Sequence, residues 1–403
     1  MILNKAKKTA SGFRMRLTED LNMILIKQAE VYTPHIIGIK DVLVCGGQIE
    51  AIEDRISLPL PSCHVIDGTG KLLIPGIIDP HVHVTGGGGE GSFHTQVPPV
   101  SLSDLIRGGV TTVVGLLGTD GITRSVENLL ARVKALKEEG ISTYACTGSY
   151  GFPSVTLTGD VKRDLVFIDE ILGVKLALSD HRAPNVTVNE LMRLGSDART
   201  AGMLSGKCGI VVLHMGDAPS GLAPVQEALA QTAIPVKIFH PTHVNRKREL
   251  LEEAFAFARQ GGFIDLTCGI DGAGRPAACI MESRERGIPM EQITISSDGM
   301  GSWSTYDESG SLLAIGYAPV DTVLKEVKVL VQEYQLPLEE ALCFATSNTA
   351  RSLELFPKKG CIRAGSDADL LLLEEDLSIH TVIAGGRRML EDHVLLQKGT
   401  YEI

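Results

Sequence analysis

His81 and His83 are spaced i, i+2, and they are the first residues in the chain whose types and spacing carry chemistry. On an extended strand that spacing puts both imidazoles on one face. There they either grip a single cation or serve as hydrogen-bonded core histidines. His214, His243 and Asp298 recur later at the ends of apolar runs. Five N/O donors exceed one tetrahedral zinc site, so the set points to two ions and metal-assisted hydrolysis. Lys175 stands inside the apolar run Gly173-Val-Lys-Leu-Ala-Leu178. Desolvation disfavours an ammonium in such a run. The lysine is therefore either at an exposed strand end or a neutral amine that captures CO₂. In the second case the carbamate is a carboxylate able to bridge two cations. His240 competes with His243 as a donor. Pro241 interrupts the strand, so alternation does not separate the two, and His240 is assigned to packing.

These donors need a scaffold that brings distant segments together. Eight candidate strands are Leu73–Val84, Val110–Leu117, Ser142–Tyr150, Gly173–Asp180, Ile210–Asp217, Val236–Asn245, Phe263–Cys268 and Ile293–Asp298. Amphipathic helices fill the gaps, as in Ser125–Glu139, where Leu129, Leu130, Val133 and Leu136 share a face, and in Lys247–Gln260. The alternation predicts an α/β fold, a TIM-type (β/α)8 barrel, with a doubly wound open sheet as the alternative. Asp79, His81 and His83 share one face of the first strand. His214 lies opposite Leu213 and Met215, and Thr294, Ser296 and Asp298 lie opposite Ile293 and Ile295. The donors thus fall near C-terminal strand ends, where barrel enzymes place their active sites. Both chain ends are β-rich. Candidate hairpins are Asp41–Ile52 and Thr381–Leu390, the latter preceded by the strand Asp369–Leu373. The predicted organisation is an extension at 1–20, a small β-sandwich-like domain from 21–73 and 356–403, and a barrel at 74–355.

Composition narrows the function classes. The 403 residues hold 38 Lys plus Arg against 49 Asp plus Glu, a net charge of −11, which argues against a nucleic-acid or anionic-membrane partner. The apolar runs are short, Leu370 to Leu373 among the longest, so none spans a bilayer. Eight scattered cysteines form no Cys-x-x-Cys pair and read as reduced thiols of a cytoplasmic protein. The basic residues Lys5, Lys7, Lys8, Arg14 and Arg16 have no apolar segment of signal-peptide length directly after them, so export is not expected. Gly86-Gly-Gly-Gly-Glu-Gly91 contains G-x-G-x-x-G spacing, but it follows a His-x-His strand with no phosphate-binding helix behind it. A loop that lets backbone approach a ligand is the simpler reading.

The His81-Val-His83 strand end, the Lys175 strand, the later histidines and Ser297-Asp-Gly299 together resemble the amidohydrolase superfamily with a two-metal centre. So does the tail Lys359-Gly-Cys-Ile-Arg-Ala-Gly-Ser-Asp-Ala-Asp-Leu370. Longer strings are similar to the isoaspartyl (β-aspartyl) dipeptidase family within it. They are His81-Val-His-Val-Thr-Gly-Gly-Gly-Gly-Glu90, Gly115-Leu-Leu-Gly-Thr-Asp120, Ser179-Asp-His-Arg182, His214-Met-Gly-Asp217, Pro241-Thr-His-Val-Asn-Arg246 and Ser297-Asp-Gly-Met-Gly-Ser302. The resemblance runs from about Gly38 to the C-terminus. It implies zinc bound by His81 and His83, a second zinc bound by His214 and His243, and N6-carboxylated Lys175 as the bridge. It implies that Asp298 holds the first metal and handles protons. Gly88 through its backbone, Glu90, Thr119, Tyr150, Arg182, Arg246 and Ser302 are implied to contact substrate. A homo-oligomer, an octamer, is implied as well.

The charges agree with that substrate. A β-aspartyl dipeptide carries one ammonium and two carboxylates, and the implied pocket offers one acid, Glu90, and two guanidiniums, Arg182 and Arg246. The expected reaction is hydrolysis of the isopeptide bond by a metal-bridged hydroxide, with Tyr150 stabilising the oxyanion and Asp298 passing the proton to the leaving amine. The alternative is another amidohydrolase, acting on cyclic amides or N-acyl amino acids with the same ligands.

Overall fold

The computed structural model describes residues 23–57 and 62–402. The expected extension at 1–20 lies outside them. Eight parallel strands form one sheet in chain order: Ile77–Val82, Val110–Gly115, Ser142–Gly148, Ile171–Leu178, Ile210–Met215, Phe239–Thr242, Ile264–Thr267 and Ile293–Ser296. A bridge between Val82 and Gly299, with His83 N donating to Gly299 O at 2.8 Å, brings the last strand back to the first. Helices such as Val126–Glu139, Val188–Ser205 and Arg248–Arg259 pack outside, completing a TIM-type barrel. The open-sheet alternative is excluded by that closure.

The predicted parity explains how the barrel fills. Val211, Leu213 and Met215 join the apolar layer between strands and helices, as do Val174, Leu176 and Leu178. Ile210 and Val212, on the His214 face of the fifth strand, join a separate inner cluster with Ile78, Val114, Cys146 and Leu353. Val212 pairs with Lys175, so the lysine shares the inner face. This apolar plug leaves the polar residues at the C-terminal strand ends as the barrel's mouth.

Both chain ends meet in one nine-stranded sheet. Met23–Tyr32 pairs with Ile36–Cys45, which turns at Gly46-Gly47 into Gln48–Glu53. Leu72–Pro75 pairs antiparallel with Leu370–Leu373, and Ile379–Ala384 and Arg387–Glu391 form the second expected hairpin. Ile24, Ile26, Val42, Leu73, Leu370 and Leu372 give this sheet a core of its own.

Two strand expectations are corrected. The run Leu73–Val84 divides at Gly76, with one half in each sheet. A Cβ at Gly76 would lie 2.1 Å from Thr111 Oγ1, so the chain passes there only without a side chain. The run Val236–Asn245 keeps only Phe239–Thr242 as strand, because 3-10 turns at Val236–Ile238 and Val244–Arg246 flank it. A further antiparallel hairpin, Ser302–Tyr306 with Leu312–Tyr317, follows the eighth strand and was not read from the sequence.

Candidate active site

The six expected ligands converge at the barrel mouth. His81 lies in the first strand and His83 just beyond it, Lys175 in the fourth, His214 in the fifth. His243 and Asp298 sit just past the sixth and eighth strands, with φ of 65° and 53°. Non-glycine residues hold that backbone only where the surroundings over-determine it, and such strain concentrates at functional sites. Ring centroids are 4.9 Å apart for His81 and His243 and 4.6 Å for His214 and His243. Lys175 Nζ is 3.0 Å from His81 Nε2, and His83 Nε2 is 3.2 Å from Asp298 Oδ1. One donor atom each from His81, His243 and Asp298 falls within 4.8 Å of the others.

Electrostatics prepare these groups to bind cations. Burial, with neighbouring positive groups, pushes His81, His214 and His243 well below the usual imidazole range, so they are neutral and carry lone pairs. Lys175 is fully buried, which settles it as an interior group rather than an exposed strand end, and burial pushes its amine down to about 7. Burial alone would raise the Asp298 carboxyl. The adjacent imidazoles of His83 and His81 and the positive charge of Arg246 outweigh burial and hold it below the usual carboxylate range. His83 Nδ1, His243 Nε2 and Asp298 Oδ1 are buried without hydrogen-bond partners. Native interiors rarely leave such atoms unsatisfied. His243 Nδ1 is engaged by Thr267 Oγ1 at 2.6 Å, which leaves Nε2 as the atom available to a cation. Neutral imidazoles and a carboxylate fit divalent zinc.

The expected substrate residues ring this cluster. Tyr150 OH lies 2.6 Å from His214 Nδ1, and burial pushes its phenol up, so it stays protonated. Arg182 sits over the Tyr150 ring at 5.3 Å and reaches both Glu90 Oε1 and Thr119 Oγ1 at 3.5 Å. Ser302 Oγ donates to Glu90 Oε1 at 2.7 Å, while Glu90 Oε2 is buried and unpaired. Arg246 stands 3.4 Å from His214 Nε2 and 3.5 Å from Asp298 Oδ2. Gly88 has φ +84°, and a Cβ there would meet Thr95 O at 2.5 Å. His240 lies apart from the ligands, its Nε2 3.0 Å from Lys237 O and its ring against Phe263, as its packing assignment expects.

Three buried carboxylates support the site, and the sequence reading gave a role to none of them. Asp180 accepts Arg182 Nε at 2.9 Å and Nη2 at 3.1 Å and lies 3.2 Å from His214 Nε2, aiming the guanidinium. Asp79 takes the N–H groups of His81 and Ser297, each at 3.2 Å, and the Ser297 hydroxyl, tying the first strand to the eighth. Asp265 accepts three hydroxyls, Thr242 at 2.7 Å, Ser296 at 2.6 Å and Thr294 at 2.8 Å. Parity placed Asp79 on the His81 face, but the other two carried no signal beyond being acidic residues near strand ends.

The model of the amidohydrolase family matches residues 72–389. A beta-aspartyl dipeptidase from the thermophilic, keratin-degrading Fervidobacterium islandicum AW-1, solved in complex with a beta-Asp-Leu dipeptide, is 42% identical with a TM-score of 0.88, over 93% of this chain and 98% of that one. Dihydropyrimidinase from Brevibacillus agri NCHU1002 shares the fold at TM-score 0.66 and 16% identity, over 94% of this chain and 97% of that one. Imidazolonepropionase of Rhizobium meliloti (strain 1021) is 23% identical over 350 residues, 82% of this chain and 83% of that protein.

Proposed function

The chain belongs to the amidohydrolase family, and from that premise we propose that it is a binuclear-zinc dipeptidase cleaving the isopeptide bond of β-aspartyl dipeptides. The observation that carries this reading is the charge set beside the ligand cluster: Glu90, with one carboxylate oxygen unpaired, within reach of Arg182, which Asp180 aims, and Arg246 across the mouth beside Asp298. One acid and two guanidiniums complement one ammonium and two carboxylates. The dipeptidase of F. islandicum, with its bound beta-Asp-Leu, supports the same substrate class.

His81, His83 and Asp298 would hold one ion and His214 and His243 the other, with carboxylated Lys175 between them. When bound, the ions supply hydroxide at neutral pH and electrophilic assistance at the amide carbonyl. Burial pushes the Lys175 amine down to about 7, so a substantial share of it is unprotonated at neutral pH and has the free lone pair that CO₂ requires. Glu90 binds the substrate ammonium, and Arg182 and Arg246 take the carboxylates. Tyr150, protonated and buried, donates to the oxygen on which charge develops. Asp298 takes the proton of the attacking water and returns it to the leaving amine.

The test is hydrolysis of β-Asp-Leu set beside α-Asp-Leu, a cyclic amide and an N-acetyl amino acid. Cleavage of β-Asp-Leu alone is expected. Turnover of the cyclic amide or N-acetyl compound without β-Asp-Leu turnover replaces this reading with another amidohydrolase activity. We further read the chain as a cytoplasmic homo-oligomer. Its eight unpaired thiols and the apolar Trp303, Leu313 and Tyr317, exposed on the hairpin after the eighth strand, support this. Light scattering on the eluted protein measures the subunit number, with an octamer expected.

A further inference from the structure

Arg124 follows the second barrel strand, on the loop that also carries Thr119. Its hydrogen bonds go to main-chain carbonyls. Nη1 donates to Thr85 O, and Nη2 donates to Val97 O at 2.8 Å and to Gly87 O at 3.4 Å. Nε is buried with no partner. The three carbonyls belong to the loop after the first strand, which carries Gly88 and Glu90.

The first part of that loop, Gly86–Gly91, is glycine at every position except Glu90. Its backbone turns at Gly86, whose N donates to His83 O at 2.7 Å, and is tied elsewhere by Gly87 N to Met300 O at 2.9 Å and Val97 N to Gly87 O at 2.9 Å. A Cβ at Gly86, where φ is +79°, would stand 1.9 Å from Val97 O. Glycines let the backbone take this path, but they lose the most conformational freedom on ordering and offer no side chain to lock it. A planar guanidinium reaches several carbonyls at fixed angles, whereas an ammonium acts as a point charge. The loop bearing Arg124 is itself fixed. Asp120 Oδ1 accepts the N–H of Ile122 at 3.0 Å and of Thr123 at 2.8 Å, and Gln96 Nε2 donates to Thr123 Oγ1 at 2.9 Å. Gln96 in turn bridges to Gly88.

We propose that Arg124 is a positioning residue for substrate recognition: it locks the glycine loop to the loop of Thr119, so that Glu90 and the Gly88 backbone meet the substrate's ammonium. This rests on the dipeptidase reading. Arg124's hydrogen bonds go to Thr85, Gly87 and Val97 and to no metal ligand, so its effect runs through the glycine loop, chiefly through Glu90.

A double-mutant cycle on the full-length, zinc-loaded protein tests it, with kcat and KM for β-Asp-Leu measured in wild type, Arg124→Met, Glu90→Gln and the double variant. Arg124→Met is expected to raise KM about tenfold, with kcat within about threefold and zinc content unchanged. In the Glu90→Gln background the same change is expected to cost less than about threefold in kcat/KM. Should Arg124→Met not fold, Arg124→Lys carries the same cycle with a smaller effect in the same direction. Additive losses across the cycle, or a loss confined to kcat, overturn the role of Arg124 and leave the dipeptidase reading intact. A wild type inactive on β-Asp-Leu overturns the dipeptidase reading, and this inference with it.

Discussion

Replacing Asp265 by alanine should destabilise the fold and loosen the site at once. Its carboxylate accepts Thr242, Ser296 and Thr294 within 2.8 Å, all buried. Thr294 Oγ1 keeps a second acceptor, Ile264 O at 3.4 Å, whereas the other neighbour of Thr242 Oγ1, His243 Nδ1 at 3.5 Å, is already engaged by Thr267, so the Thr242 and Ser296 hydroxyls are left effectively orphaned. Each buried orphan costs roughly 1–3 kcal/mol, which places the loss near 3 kcal/mol. Relief from burying an acid offsets part of it, since burial pushes the Asp265 carboxyl up to about 6. The consequence reaches the ligands because Thr242 precedes His243 and Ser296 lies two residues before Asp298, and both ligands hold left-handed backbone. Calorimetric melting together with elemental zinc analysis reads both effects. We expect a melting temperature lower by several degrees and reduced zinc occupancy in Asp265→Ala, with Asp265→Asn between it and wild type. A melt within about one degree of wild type with full zinc would refute the clamp.

Other perturbations probe the chemistry and the interior. Tyr150→Phe should lower kcat about 10²–10³-fold if its phenol stabilises the oxyanion, and a change below threefold removes that role. Lys175→Ala should lose activity and zinc, with partial recovery in a short carboxylic acid, and full activity without added acid rules out the bridge. His240, half-buried, is pushed by burial from 6.5 down to about 4. The unfolded chain therefore takes up that proton first, so the stability His240 contributes is present above pH 6.5 and lost as pH falls through about 4. His240→Gln should flatten the stability curve across that window by about 1–3 kcal/mol, whereas parallel curves in a urea titration would contradict it.

Much of the site was legible because strand periodicity has a fixed period of two. His81 with His83, and His214 against Leu213 and Met215, needed only alternation to be placed inside. Lys175 was legible as an anomaly, a long cation in an apolar run. Alternation failed at Pro241 and at Gly76, where backbone restrictions rather than side-chain pattern set the path. It also said nothing of Asp180 or Asp265, whose significance lies in partners far along the chain: His214 lies 34 residues beyond Asp180, and Thr294 lies 29 beyond Asp265.

By itself, then, the sequence determined that eight strands alternate with helices, which face of the ligand-bearing strands turns inward, and which residue types could hold cations and a zwitterionic substrate. Those properties are local, written in alternation and in side-chain chemistry. Only the tertiary structure decided that the first and eighth strands close, that Asp79 joins His81 to Ser297, and that one arginine after the second strand holds the carbonyls of the glycine loop. Closure and clamping depend on register between distant segments. That register is set by the packing of the whole barrel, and no short stretch of chain encodes it.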